Sequence, residues 1–179
     1  MNFNKLSAAI LKIERDADFF ECEQLKASIA SKLVLRQEQY LLASEIDAII
    51  QWKLDSQYYR SKQQRQINDD YVVVPITTAV FSVQSGNLEY QTELKIKLLC
   101  SLKGIAIPLA SAVLAITDPK QFAVLDSVLW QGLYKVEKNA FTTNDYLRFL
   151  TDMRKLAHKV GLEVQETEFR LWKYFTDSK

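Results

Sequence analysis

Residues 102–130 read LKGIAIPLASAVLAITDPKQFAVLDSVLW, and the rest of the chain is organised around them. Gly104 follows an apolar-periodic run and marks a tight turn, because glycine alone enters a left-handed backbone without steric cost. Residues 107–116 then read as a second helix. Pro108 suits its first turn, where a missing N–H has no helical acceptor to lose. Asp118-Pro119 breaks that helix. Asp126 opens a third one, running from Ser127 to Tyr134, as an N-cap whose carboxylate accepts orphan amides. Two helices joined by a glycine turn form a helical hairpin, and the N–H groups opening the second helix favour a phosphate.

Toward the N-terminus, Leu94, Leu98 and Leu102 recur every fourth residue, which predicts a helix over 88–102. Pro75 suits the first turn of a preceding helix that Ser85-Gly86-Asn87 would end. Tyr71 to Val74 has strand character but no partner run. Residues 55–70 are polar and without apolar periodicity, which reads as a surface loop or a ragged helix. Their local excess of positive charge, Arg60, Lys62 and Arg65, is the candidate phosphate patch. Ser44-Glu-Ile-Asp47 is a capping signal for a helix through Ile46, Ile49, Ile50 and Leu54, with Trp52 and Lys53 near its end. Residues 1–40 hold two amphipathic series, the first capped by Asn4, and read as a helical extension that packs. Toward the C-terminus, Thr142-Thr143 cap a long amphipathic helix over 144–160 that Gly161 ends, and a last helix covers 166–175.

Composition agrees with a single all-α domain over residues 1–179, its hairpin-plus-aspartate block spanning 88–135. Four glycines and three prolines leave few breakers. The 23 basic and 22 acidic residues nearly cancel, so any nucleic-acid contact needs a local patch and directed backbone groups. Cys22 and Cys100 lie far apart and form no CxxC, which argues against a disulfide scaffold and points to a reducing, cytoplasmic setting. His158 is the only histidine, which argues against a histidine metal site or a Ser-His-Asp triad; we expect no metal and no cofactor. No apolar run reaches membrane-spanning length, and charges interrupt the N-terminus before a signal-peptide core forms.

The segment LKGIAIPLASAVLA resembles the helix-hairpin-helix of the DNA glycosylase superfamily that includes endonuclease III and 8-oxoguanine DNA glycosylase. That element typically reads L-P-G-V-G-x-K/x-x-A. Asp126 lies 18 positions after Pro108, the family's distance from its motif lysine to its essential aspartate, and VLDSVLW is similar to the family's V-D-x-x-V. Less sharply, Trp52-Lys53, Asn68, Thr77-Thr78, DPKQFAVLD at 118–126 and RLWKYF at 170–175 resemble small bacterial proteins of the 8-oxoguanine-glycosylase fold. The likeness runs from about Leu42 onward.

The resemblance implies a helix-hairpin-helix glycosylase-like domain acting in base-excision repair on double-stranded DNA. Asp126 would stabilise the oxocarbenium sugar and orient water. Lys103, Gly104 and Ala106 would hold a phosphate beside the Arg60-Lys62-Arg65 segment. Trp130, Tyr134, Trp52 and Lys53 are candidates for the pocket of a flipped base, with Trp172 beside them. Two departures carry consequences. Ala106 replaces the second hairpin glycine, and a left-handed backbone there would cost a Cβ about 1–2 kcal/mol. Pro108 stands where bifunctional members carry their Schiff-base lysine, which implies monofunctional hydrolysis. Lys103 or Lys53 could substitute only if the fold brings one beside Asp126. Two alternatives share the fold: a damage-sensing DNA-binding module without turnover, and an interaction domain for a partner protein.

Overall fold

The computed structural model describes residues 3–177, and among them every regular element is helical. In chain order these are α1 (Phe3–Ile10), α2 (Ala17–Val34), α3 (Ala43–Leu54), a 3-10 segment (Asp55–Ser61), α4 (Lys62–Arg65), α5 (Asp70–Ser82), α6 (Leu88–Cys100), α7 (Ile107–Thr117), α8 (Ser127–Tyr134), α9 (Thr143–Val160) and α10 (Val164–Asp177). None is long and apolar enough to cross a membrane.

The second helix of the hairpin is the centre of the packing. Every α7 residue except Pro108 and Thr117 is buried, as its all-round apolar composition requires, and α2, α3 and α6 pack against it. Its small residues let neighbours approach. Ser111 Oγ donates to the Pro108 carbonyl (2.8 Å) and accepts the Leu125 N–H (2.9 Å), which ties the extended residues before α8 to α7. A second layer forms where α10 packs on α1, α8 and α9. Residues 3–40 therefore belong to the same core. Arg15 and Arg170 both reach Glu166 (3.1 and 2.7 Å), and Lys26 reaches Gln165 (2.9 Å), which pins the N-terminal helices to α10.

Four local readings change. Asn4, expected to cap the first helix, lies inside α1. The helix expected from Pro75 starts at Asp70, capped by Asp69, whose side chain accepts the Val72 N–H. Pro75 is tolerated inside it because the carbonyl its missing N–H would have met belongs to Tyr71, an 89% exposed residue that water can serve. The same capping places the β-branched run Val72–Val74 in the helix. The Ser44 cap moves to Leu42, with Glu45 as the third helical residue reaching back to the Leu42 N–H (2.9 Å). Burial decides this: Glu45 is 3% exposed and paired to Arg36 through two bonds of 2.8 and 2.7 Å. Residues 55–65 form the ragged helix.

Candidate active site

The hairpin turn is held by Asn68, whose side-chain oxygen accepts the Lys103 N–H (2.9 Å) and whose amide donates to the Lys103 carbonyl (2.8 Å). Gly104 has φ +74, the left-handed conformation, and a Cβ built on it would sit 3.0 Å from Arg65 Cγ. Glycine is needed there twice over. Ala106 caps α7 with φ −97 and ψ 173, an extended backbone that costs a Cβ nothing. The strain contemplated at this position from sequence does not arise.

The three basic residues of the 55–65 segment separate. Arg60 is exposed. Lys62 lies over the rings of Tyr58 (5.0 Å) and Tyr59 (5.5 Å). Arg65 is only 6% exposed, donates to the Tyr58 carbonyl (3.0 Å) and to Ser61 Oγ, and stacks on the Tyr58 ring (5.1 Å). It is a pillar under the hairpin turn, so the expected phosphate patch loses this member to packing. Lys103 remains exposed at the turn.

Tyr58 and Tyr59 carry this region into a cavity of about 640 Å³. Asp126 and Lys53 line it together, with Lys53 Nζ 3.1 Å from Asp126 Oδ2. The other Asp126 oxygen accepts the Leu129 N–H (2.8 Å) as the cap of α8. Capping and facing the cavity thus use different oxygens of one carboxylate. Helix α3 supplies Lys53 because its buried face, Ile46, Ile49 and Ile50, lies against α7, which turns the following residues toward the α8 cap. Trp52 and Trp172 form aromatic wall, from α3 and α10. The N-terminal extension closes one side with Asp18, Glu21 and Leu25 of α2.

Trp130 and Tyr134 lie elsewhere. Trp130 is 4% exposed and packs on Tyr134 (4.4 Å between centroids) and Phe141 (5.5 Å), and neither Trp130 nor Tyr134 lines the cavity. Tyr134 donates to Asp152 (2.9 Å), and burial, with that carboxylate, raises its phenol. Helical spacing from Asp126 points these rings into the packing against Phe141 and against Arg148 and Asp152 of α9, instead of across the α8 cap.

One cavity residue had no sequence signal. Glu168 on α10 is 5% exposed and lines the cavity with Asp126 and Lys53. Its Oε2 accepts the Val124 N–H (3.2 Å), and among the described residues Oε1 has no protein partner and the carboxyl no ion pair. Burial pushes this carboxyl up to about 8; Lys53 opposes the rise and Asp126 adds to it, with the Val124 N–H and Lys26 pulling down more weakly. Asp126 and Glu168 are therefore two carboxyl groups in one cavity with different surroundings, one on a lysine and a helix cap, the other nearly dry. Among the described residues no group of His, Cys, Asp and Glu is suited to a metal ion. Comparison of the chain with protein-family models, curated proteins and solved structures finds no match.

Proposed function

We propose that this chain is a helix-hairpin-helix glycosylase-like protein that hydrolyses the N-glycosidic bond of a damaged base in duplex DNA. The observation that carries this reading is that Asp126, on Lys53, lines a cavity of base-accommodating size (about 640 Å³) that Trp52 and Trp172 also line. A flipped base would stack between aromatic side chains there, and the Asp126 carboxylate would stabilise positive charge developing on the sugar. The turn at Gly104 and the N–H groups opening α7 would hold a strand phosphate, with Lys103, Lys62 and Arg60 supplying charge. The carboxylates Asp18, Glu21 and Asp55 on the cavity lining disfavour phosphates, so the backbone would approach from the hairpin side.

The test is duplex binding at two salt concentrations with a panel of lesions that includes 8-oxoguanine and an abasic-site mimic, followed by base-release assays. A side chain at Gly104 meets Arg65, so charge reversal belongs at exposed positions: Lys103→Glu and Arg60→Glu. Lesion-selective binding that weakens with salt and with both reversals, and base release lost in Asp126→Asn, are the expected results. Binding retained without base release in the wild type would favour the damage-sensing alternative. Binding at background, unchanged by either reversal, would refute the DNA reading and leave the partner-protein alternative.

The 3.1 Å approach of Lys53 to Asp126 favours a second reading, in which Lys53 replaces the lysine absent at Pro108 and forms a Schiff base with the sugar. Borohydride would then trap a covalent adduct with abasic-site DNA, lost in Lys53→Gln. The monofunctional reading expects no adduct.

A further inference from the structure

The cavity contains an acid that the proposed hydrolysis would need and that Asp126 cannot be. Cleavage of a bond to an uncharged base places negative charge on a ring nitrogen as the C1′–N bond breaks, and a positioned acid lowers that barrier. Asp126 is committed on both oxygens, to Lys53 and to the Leu129 N–H. Glu168 is committed on one only, and its other oxygen belongs to a side chain that is 5% exposed and lines the cavity. That oxygen is not sealed in the packing and is open to the cavity, where a ligand can meet it. Resting on the glycosylase reading, we propose that Glu168 is the acid that protonates the departing base, and that the substrate class is therefore an uncharged damaged base presenting a ring-nitrogen acceptor to α10.

The step balances. Glu168 Oε1 gives its proton to the ring nitrogen, and the C1′–N bond breaks with its electron pair passing to the base, which leaves as the neutral free base. Water bonds to C1′ and yields its proton to Asp126. That proton returns to Glu168 through cavity water, restoring both groups. No oxidant or metal enters.

The protonation of Glu168 is governed by every element around it. Lys53 from α3 and Lys26 from α2 favour the carboxylate, and Asp126 at the α8 cap favours the acid. Cys22 of α2 and Tyr146 of α9 also face it, both held neutral by burial. Burial outweighs the two lysines, so the acid form persists to about pH 8.

The test is single-turnover base release from duplexes carrying either uncharged lesions or 7-methylguanine, whose positive charge lets it leave without a proton. Glu168→Gln should slow release of an uncharged base by about a hundredfold or more and release of 7-methylguanine by far less. The wild-type rate on the uncharged base should fall as pH rises through about 8, and Glu168→Gln should lack that limb. Glu168→Asp, which keeps an acid, should recover part of the rate. Equal loss on both substrates would mark Glu168 as structural and overturn the inference, as would undiminished activity in Glu168→Gln. Wild type acting on 7-methylguanine alone would also overturn it while leaving the glycosylase reading standing. Release from neither substrate would refute the glycosylase reading itself, and this inference with it.

Discussion

Replacing Glu168 by glutamine should make the protein more stable, by an amount that depends on pH. The carboxyl titrates near the ordinary glutamate value of 4.5 in the unfolded chain and near 8 in the folded one. Between those values the unfolded state has lost a proton that the native state keeps, so stability falls as pH rises through this window. A tenfold change in proton affinity corresponds to about 1.4 kcal/mol, so the wild type should lose about 3–4 kcal/mol between about pH 5 and pH 8 through this group alone. At two to four degrees per kcal/mol for a domain of this size, that is a fall in Tm of about 7–14 °C. Glu168→Gln keeps the shape and the acceptor for the Val124 N–H and removes the titration. Urea unfolding of both proteins, followed by tryptophan fluorescence across the range, isolates this contribution as the difference between their pH slopes. Parallel slopes would show that Glu168 ionises in the native state as readily as in the unfolded one. The acid assigned to the cavity would then be absent. Carrying such a carboxyl in the dry is a net cost, and costs of this kind concentrate at functional sites.

Other perturbations test the fold that positions the cavity. Arg36→Ala leaves Glu45, 3% exposed, without its two-bond partner and should cost about 3–5 kcal/mol in urea unfolding, largely recovered when Glu45→Leu is added. Gly132→Ala puts a Cβ 2.3 Å from the Phe175 ring and should lower Tm by the equivalent of about 1–3 kcal/mol; Phe175→Leu beside it should restore part of the loss. Asp55, on the cavity lining, sits at φ 45 and ψ −120, a conformation suited to glycine, so Asp55→Gly should raise stability by about 1 kcal/mol in the same assay.

What the sequence made legible follows the reach of the interactions involved. Thr142 and Gly161 announce both ends of α9 because a cap acts within one turn, and Gly161 indeed takes φ +69 there. Gly104 and the Asp126 cap are legible for the same reason. Pro75 misleads because its cost depends on whether Tyr71 meets water, which the solvent exposure of a finished fold decides. The aromatic residues show the limit more sharply. Trp52, Trp130, Tyr134 and Trp172 all sit at helical spacing among apolar neighbours, yet only Trp52 and Trp172 reach the cavity. Arg65 counts as one more charge beside Arg60 until its guanidinium is found on Tyr58.

Glu168 is the extreme case. In sequence it is one of two acidic residues in QETEFR and carries no cap or pairing signal. Its burial is produced by α2 and by the extended residues before α8, segments more than forty positions away, and its chemistry by Lys53 and Asp126 arriving from two further elements. The hairpin fixes where Asp126 stands, because Ser111 on α7 holds the Leu125 N–H one residue before it. Helix α10 then brings Glu168 to the same cavity from the opposite end of the chain. A substitution on α7 that loosens Ser111 should therefore disturb Asp126 first and, through the adjacent Val124 N–H, the one hydrogen bond that holds Glu168. The two carboxyl groups thus share a cavity and, in residues 124–126, part of one support, so their roles are separable by mutation at the groups themselves.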